Sequence, residues 1–306
     1  MNSLRAIYNR LPVGFRSWVR SRLPDSWLRW YAHQNTDVYL ISYPKCGRTW
    51  LRLMIGWAIS EYFHLPQDEE ILFLRSNRRF HSQAPRITVI HEDRPMLKAP
   101  EELTTDKSRF RGKKVIFLAR DPRDVIVSSY FEMKNRSRLF GENPYEKRQA
   151  VFDGELDEFL QRRIGGFDTI LAYYNIWAQN RHVPAGFLLV RYEDLKANPA
   201  AELRRVLDFL GLEFIGDDIV AAAVNYASFE NMRKMEAEGR FQSKLLQPAD
   251  QSNQDTYKTR KGKIKGYMDY LNASQVEALN RKLNDHLAAY FGYNCSDEYA
   301  HTIDRI

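Results

Sequence analysis

One octapeptide, YPKCGRTW at residues 43–50, combines cations, a hydroxyl group and a glycine in a pattern typical of anion sites. It follows a short apolar run and enters an apolar helical pattern. Backbone N–H groups and the positive end of the helix dipole would therefore point at one place. Lys45 and Arg48 add charge, Thr49 adds a hydroxyl, and Gly47 lets a ligand approach the backbone. The segment predicts a phosphate or sulfate cradle, although such a turn also occurs as a purely structural element.

A second segment, RDPRDVIVSSY at residues 120–130, repeats this arrangement after the apolar run KVIFLA. Arg120 would stand at a strand end and Ser128 in the following helix. This pair suits a phosphate because a guanidinium group offers paired donors. Asp121 and Asp124 leave a second interpretation open, in which the segment only caps a helix and forms surface ion pairs.

The elements that would position these segments alternate between strand and helix. Short apolar runs predict strands at 38–43, 86–90, 114–119 and 187–190, and helical patterns occupy 49–63, 124–134, 156–163, 168–181 and 200–210. A capping box at Ser274 and Glu277 announces a further helix. The fold class is therefore α/β, with a central parallel sheet flanked by helices on both faces. Ligands are expected outside the carboxyl ends of the strands.

Composition limits the class of protein. The chain has 306 residues, of which 44% are hydrophobic and 28% charged, which excludes disordered and collagen-like chains. The longest apolar run, residues 53–59, is far shorter than the roughly 20 residues of a membrane span. Two cysteines support neither a disulfide scaffold nor a metal cluster, and the N-terminus lacks the apolar core of a secretory signal. We expect a cytoplasmic protein.

The basic charge is unevenly distributed. The net charge is +7, and residues 1–35 hold +5 of it, because six arginines face one acid, Asp25. We interpret 1–35 as a basic amphipathic N-terminal arm, which either packs on the body or makes peripheral contact with the inner face of a membrane. Residues 36–295 form a single domain with a long polar lid loop at about 236–265, and 296–306 form a C-terminal tail.

Four blocks, in the same order as in the family, resemble the sulfotransferases that use 3′-phosphoadenosine 5′-phosphosulfate (PAPS). YPKCGRTW resembles the 5′-phosphosulfate loop and RDPRDVIVSSY the 3′-phosphate strand-turn-helix. YEDLKANP at 192–199 and RKG at 260–262 resemble two further family elements. The resemblance covers residues 37–293 and implies a P-loop-like sulfotransferase domain.

The resemblance also implies roles for individual residues. Lys45 would hold the bridging oxygen and the 5′-phosphate as a catalytic residue. The remaining donor-binding residues that it implies are Cys46, Gly47, Arg48 and Thr49 in the 5′ loop, Arg120, Ser128, Arg260, Lys261 and Gly262 at the 3′-phosphate, and Trp50, Tyr192, Ser228 and Phe229 around adenine. The aromatic residues have an alternative role in core packing.

The general base is expected at His91, because family members with a catalytic histidine carry it shortly before the 3′-phosphate strand. Histidine titrates near the pH at which a base is useful. Glu92 and Asp93 are rivals, since some carbohydrate sulfotransferases use a carboxylate. The family lysine two places before the histidine is Val89 here, so its charge must come from Lys45 or a lid residue. The lid departs from the family pattern after RKG, because KIKGYMDY at 263–270 is one residue longer and lacks the family tryptophan.

The predicted function is in-line transfer of a sulfuryl group from PAPS to a hydroxyl or amine of a small-molecule, lipid or carbohydrate acceptor, without a metal. Acceptor contacts are expected from residues 71–83 and 136–154 and the lid loop. One alternative is a nucleotide or small-molecule kinase, which lacks a recognisable Walker lysine here. Another is a non-catalytic basic protein that binds membrane or nucleic acid; we expect no nucleic acid, because the body carries only +2. The oligomeric state is left open.

Overall fold

A four-stranded, fully parallel sheet forms the centre of the computed structural model, which describes residues 25–65, 69–72, 74, 81–136, 152–241 and 246–294. The strands are β1 (Val38–Ser42), β2 (Ile87–Ile90), β3 (Lys114–Ala119) and β4 (Gly186–Arg191). Their order in the sheet is β2-β1-β3-β4. In the paired register, Leu40 of β1 lies between Val89 of β2 and Ile116 of β3. All four predicted strands are confirmed.

The burial of the strands follows this order. β1 is buried at every residue and β3 at every residue after Lys114, because both lie inside the sheet and are covered on two faces. β2 and β4 are edge strands and are mostly half-buried. Unbroken apolar runs such as VYLIS and VIFLA are what a strand with two covered faces requires.

Helices cover the sheet in two layers. Those described are α1 (Asp25–Gln34), α2 (Arg48–Tyr62), α3 (Pro122–Asn135), α4 (Leu156–Leu160), α5 (Phe167–Gln179), α6 (Tyr192–Ala197), α7 (Pro199–Leu210), α8 (Asp217–Tyr226), α9 (Phe229–Ala237) and α10 (Ala273–His286). α2, α7 and α8 pack on one another, whereas α3, α4, α5 and α10 form a separate packed group. Helices on both faces, as predicted, are thereby confirmed.

The strand order places a crevice beside the predicted cradle. The chain leaves β1 through α2 to β2 on one side, and then returns to β3 on the other side. The carboxyl ends of β1 and β3 therefore flank a topological switch point, where ligands bind in open α/β sheets. Lys45 and Arg120 lie just beyond these two ends.

Some elements differ from the sequence prediction. α10 begins at Ala273, and its reciprocal capping box joins Asn272 and Gln275 rather than Ser274 and Glu277. Asparagine is as good an N-cap as serine, so the box forms two residues earlier. Helices α6, α8 and α9 were not among the predicted ones.

Of the N-terminal arm at 1–35, the structure describes only residues 25–35, most of which form α1. Trp27 and Trp30 on α1 are 42% and 46% exposed. Residues 1–24 and the tail at 295–306 lie outside the described part of the chain, so the roles expected of the arm stay predictions. No helix among the described residues has the length and hydropathy to cross a membrane.

We predict that Phe117→Ala lowers the free energy of unfolding by about 3–5 kcal/mol, the usual cost of emptying a fully buried aromatic position. Phe117 on β3 is inaccessible to solvent and lies 5.7 Å from the ring centroids of both Tyr174 and Trp177 on α5. Urea unfolding followed by circular dichroism measures the loss. The matched control is Phe214→Ala at a 49% exposed ring, for which we expect less than about 1 kcal/mol. Equal losses would show that this layer contact is not part of the core.

Candidate active site

A cavity of about 360 Å³ opens at the switch point. Side chains and backbone from both predicted anion segments, from the end of β2 and from the lid loop surround it. Of the predicted site residues, it is lined by Lys45, Gly47, Arg48, Thr49, Trp50, His91, Arg120, Ser128, Tyr192, Phe229, Arg260, Lys261 and Gly262. Thirteen residues that are scattered over more than two hundred positions of sequence thus meet at one place.

The loop after β1 has the backbone of an anion cradle. Lys45 and Gly47 both adopt left-handed conformations, with φ of 73° and 88°. Gly47 is the N-cap of α2 and no side chain caps it, so the N-terminus of the helix, whose first residues line the cavity, has no side-chain acceptor. A Cβ atom at Gly47 would lie 2.6 Å from Cδ2 of Tyr192. The position therefore requires glycine for its dihedral angle and for its closeness to Tyr192.

Lys45 belongs to a buried cluster of charges. Its Nζ lies 2.5 Å from Oε2 of Glu132 on α3, and the other carboxylate oxygen is 3.4 Å from Nζ of Lys258 in the lid loop. Arg136 Nε approaches the same carboxylate at 3.2 Å. Burial lowers the pKa of Lys45 to about 7, although Glu132 opposes this shift. The side chain of Lys45 therefore changes between its charged and neutral forms near neutral pH.

Two of the arginines that line the cavity each have a buried guanidinium nitrogen without a hydrogen-bond partner among the described residues. Nη1 of Arg48 and Nε of Arg120 have no hydrogen-bond partner within the described ranges. Burial lowers the pKa of Arg48 to about 9, and the neighbouring Arg52 adds to the effect. Buried donors without acceptors are costly unless a ligand satisfies them. Both residues line the cavity, so an anion bound there would supply the missing acceptors.

The segment after β3 caps a helix as predicted, but its ion pairs are buried rather than on the surface, and it also borders the cavity. Asp121 is the N-cap of α3: it accepts a hydrogen bond from the N–H of Arg123 and forms a 2.6 Å ion pair with the guanidinium of the same residue. Asp124 pairs with Arg120 Nη2 at 3.2 Å. Arg120 nevertheless lines the cavity beside Ser128, which follows two helical turns later. The aspartates cap and orient the segment, and Asp124 lines the cavity together with Arg120 and Ser128.

His91, just after β2, has a defined tautomer. Its Nδ1 lies 2.9 Å from the carbonyl oxygen of Ser42, and because a carbonyl can only accept, Nδ1 must carry the proton. The lone pair of the neutral ring is then on Nε2. Burial holds the pKa of His91 well below its usual value, and the nearby cations Arg48, Lys258 and Lys45 act in the same direction. The ring is therefore neutral, and able to accept a proton, at pH 7.

Two aromatic rings border a gap at the side of the cavity. The ammonium group of Lys196 lies 5.8 Å from the ring centroid of Trp50 and 5.9 Å from that of Phe229, so the two rings share one space. Tyr192 is buried, meets Trp50 edge-on at 5.8 Å, and carries the Arg120 guanidinium 4.4 Å above its ring. The arrangement offers flat surfaces next to a cationic group.

The RKG segment of the lid loop is held against the cavity from two sides. The guanidinium of Arg260 stacks 3.9 Å from the ring centroid of Phe131. Gly262 has a φ of 58°, and a Cβ atom there would lie 2.9 Å from the ring of Phe229. The carbonyl oxygen of Lys263 accepts a 2.9 Å hydrogen bond from Arg120. The segment thus reaches the aromatic gap and Arg120 together.

A buried carboxylate organises the start of that segment. Glu236 is inaccessible to solvent and accepts hydrogen bonds from the Lys258 N–H at 2.5 Å, the Thr259 N–H at 2.9 Å and the Thr259 hydroxyl at 2.7 Å. Its partner cation is Arg136, 3.4 Å away. The described part of the predicted lid loop is therefore anchored at residues 258–259. Residues 242–245 of the loop lie outside the described ranges.

Two predicted donor-binding residues do not line the cavity. Cys46 is completely buried beneath the loop, where its Sγ lies 3.3 Å from the Tyr174 hydroxyl, because the turn directs this side chain into the core. Ser228 caps α9 by accepting a hydrogen bond from the Asn231 N–H, which commits its hydroxyl to the helix. Most of the predicted acceptor loops, at 71–83 and 136–154, lie outside the described residues.

Sequence reasoning missed several charged residues of the site, among them Glu132, Lys258 and Glu236. Glu132 lies one helical turn after Ser128, so its position at i+4 already predicted the same helix face. Lys258 precedes the RKG segment by two residues, and only the folded lid brings it to Glu132. Glu236 gave no signal, because an acidic residue near a helix end is ordinarily solvated.

Comparison with known proteins identifies the class. The model of the sulfotransferase domain matches residues 35–291, and the chain belongs to this family. It is 27% identical to flavonol 3-sulfotransferase of Flaveria bidentis over 84% of this chain and 83% of that protein. It is 24% identical to mouse sulfotransferase 2A6 over 89% of this chain and 92% of that protein.

Solved structures share the fold at low identity. A mouse sulfotransferase complexed with PAP superposes with a TM-score of 0.53, at 20% identity over 82% of this chain and 84% of that one. Retinol dehydratase in complex with androsterone and the inactive cofactor PAP superposes with a TM-score of 0.54, at 17% identity over 82% of this chain and 80% of that one.

We predict that Gly47→Ala destabilises the protein by about 2–4 kcal/mol. A left-handed non-glycine residue costs about 1–2 kcal/mol, and the added methyl group must also displace the Tyr192 ring. Gly112→Ala is the matched control, because Gly112 has a similar φ of 74° with no atom within 4 Å of the new Cβ. Urea unfolding of both variants isolates the contact with Tyr192. A loss no larger than that of the control would disprove the close approach.

Proposed function

We propose that this protein transfers the sulfuryl group of PAPS to a hydroxyl or amine of an acceptor molecule, releasing PAP, the desulfated donor. The observation that carries the proposal is the pair of buried, incompletely hydrogen-bonded guanidinium groups, Arg48 and Arg120, beside the uncapped N-terminus of α2. Two separate phosphate sites are what a nucleotide with 5′ and 3′ phosphates needs. The sulfotransferase relatives and the PAP complexes of two structural neighbours support the same donor.

Each phosphate has its own set of donors in the proposal. The loop from Lys45 to Thr49 holds the 5′-phosphosulfate through backbone N–H groups, the Lys45 ammonium and the Arg48 guanidinium. Arg120 and Ser128 hold the 3′-phosphate, and the RKG segment closes over it. An anion on Arg120 would replace part of its contact with Asp124 and the Lys263 carbonyl. Donor binding is thereby linked to the position of the lid loop.

The aromatic gap suits adenine. Trp50 and Phe229 border a space in which the Lys196 ammonium now lies, and a planar base fits between two such faces. The hydroxyl of Tyr192 lies 3.8 Å from the place that a Cβ atom at residue 262 would occupy, so it is near the same gap. Lys196 would then move outward to solvent.

His91 is the proposed general base. Its Nε2 accepts the proton of the acceptor group while the acceptor atom forms a bond to sulfur and the bond between sulfur and the 5′-phosphate oxygen breaks. Lys45 stabilises the charge that grows on the leaving phosphate. Lys258 is the lid-loop cation that acts on His91, so it is the candidate for the charge that the family lysine would supply at the position of Val89. Negative charge from a bound donor would raise the pKa of His91 toward neutrality and strengthen the base.

The acceptor class and the location are proposed from relatives. Flavonol 3-sulfotransferase is named for a small phenolic acceptor, and several Arabidopsis thaliana relatives are named cytosolic sulfotransferases. We infer a small-molecule acceptor, with lipid and carbohydrate acceptors as the alternatives, and a cytoplasmic enzyme. Peripheral membrane contact through residues 1–35 stays a prediction.

We predict that the purified chain binds PAP in a calorimetric titration without magnesium, and that it binds ATP with magnesium more weakly. Arg120→Gln is expected to weaken PAP binding at least tenfold, because a charge-assisted hydrogen bond contributes about 1.5–3 kcal/mol. Arg163→Gln, at a side chain that is 75% exposed, is the control with unchanged affinity. Tighter binding of magnesium ATP than of PAP would favour the kinase alternative and contradict the proposal.

We predict that His91→Ala lowers kcat by about 10²- to 10⁴-fold, the usual contribution of a general base, while PAP affinity changes less than about threefold. His182→Ala, at an exposed histidine, is the control. Because the pKa of His91 is lowered, wild-type kcat/KM should be retained as pH falls through about 6.5, the ordinary histidine value, and be lost only below it. Unchanged turnover in His91→Ala would exclude this residue as the base and leave Glu92 and Asp93 as the candidates.

A further inference from the structure

The carboxylate beneath Lys45 has no role in the function proposed so far. Glu132 lies on α3, and its Oε2 is 2.5 Å from Lys45 Nζ while its Oε1 is 3.4 Å from Lys258 Nζ. We propose that Glu132 is a positioning residue for sulfuryl transfer, which keeps the Lys45 ammonium charged and directed toward the donor. The inference rests on the proposed function, because it concerns the same cavity.

Lys45 needs such a partner because burial disfavours the charged form of its side chain. The loop backbone is left-handed at Lys45, and the side chain is only 10% exposed. Burial alone moves the pKa of a lysine down, since the charged form loses hydration. The charged and titratable groups around it are Glu132 on α3, Arg136 directly after α3, Lys258 in the lid loop, His91 after β2, Arg120 after β3 and Arg48 at the start of α2.

Among these neighbours, Glu132 is the anion that contacts Lys45 directly. Lys258 and Arg136 lower the pKa of Lys45 in the same direction as burial, and Glu132 raises it. The balance leaves the pKa at about 7. An opposite charge within about 4–6 Å typically moves a pKa by about 1–3 units, so without the carboxylate Lys45 would be mostly neutral at pH 7.

Glu132 is itself suited to this role and unsuited to accepting a proton. Burial would raise the pKa of its carboxyl group, but Lys258, Lys45 and Arg136 outweigh burial and hold that pKa well below its usual value. Both oxygens face cations, and the residue stays ionised throughout the working pH range. Such a carboxylate orients the neighbouring ammonium groups and stabilises their charged form. The lone pair of His91, in contrast, is available to the acceptor.

The consequence for turnover is a limit on the alkaline side. Transfer needs neutral His91 and charged Lys45, so kcat/KM for PAPS should rise with the deprotonation of His91 and fall with that of Lys45. Glu132 raises the pKa of Lys45 and so extends activity to higher pH. Removing its charge lowers that pKa and moves the alkaline limb of the profile to lower pH.

The test compares pH profiles of kcat/KM for PAPS in the full-length wild type and in Glu132→Gln. We expect the alkaline limb to move down by about 1–3 units, so that activity falls about tenfold or more at about pH 8 and by a factor about five to ten times smaller at about pH 6. The control is Glu155→Gln, at a carboxylate that is 80% exposed and pairs with Lys134, and its profile should match the wild type. A uniform loss at every pH, with the limb unmoved, would overturn the inference.

Two further measurements keep the test decisive. Glu132→Asp retains the charge but shortens the side chain by one methylene, which places the carboxylate farther from Lys45. Its alkaline limb should therefore lie between those of the wild type and Glu132→Gln. If the glutamine variant does not fold, an unmoved limb in a folded aspartate variant overturns the inference. PAP binding to the wild type is measured first: absence of binding removes the proposed function and this inference together, whereas binding with unmoved limbs removes only the inference.

Discussion

The structure depends on holding several cations together at one edge of a parallel sheet without neutralising them. Lys45, Arg48, Arg120 and Lys258 reach the same cavity, and two of their neighbours, Glu132 and Asp124, offset only part of the charge. Unit charges 4 Å apart interact by about 4 kcal/mol at an effective dielectric constant of about 20, so such a group is costly to assemble. The residual positive charge and the unsatisfied guanidinium nitrogens define a site that an anion completes.

The fold meets this constraint through its strand order. Because β1 and β3 are adjacent but their connections leave in different directions, the loops after them open a crevice at the centre of the sheet. The uncapped N-terminus of α2 adds its dipole there, and α3 brings Ser128 and Glu132 to the cavity from one face. The lid loop completes the site through Glu236, which fixes the backbone at residues 258–259.

Local sequence predicted the parts of this arrangement that are set by local physics. Unbroken apolar runs fixed the four strands, and a glycine-containing turn between a strand and a helix identified the cradle. The family resemblance, rather than local physics, pointed to His91; the structure brings this residue to the cavity, and its role as the base stays a prediction. The predicted cap of α10 was wrong because Asn272 caps that helix in preference to Ser274, and two predicted donor-binding side chains have a local use of their own, since Ser228 caps α9 and Cys46 lies in the core.

Long-range charge pairing could not be predicted from local sequence. Glu132 and Lys258 are 126 positions apart, and their meeting depends on how the lid folds over α3. The burial of Glu236 likewise depends on three donors from the lid and on Arg136. The net charge of +7 therefore has two components that composition alone cannot separate: a basic arm, and a compact cluster whose charge is partly balanced by acids remote in sequence.

The most direct test is mass spectrometry of the purified chain incubated with PAPS and pooled phenols, lipids and glycans. We predict that PAP and a sulfated acceptor appear in equal amounts and in proportion to enzyme, which would also identify the acceptor class. Intact PAPS across all pools, or PAP formed without any sulfated product, would contradict sulfuryl transfer as the function of this site.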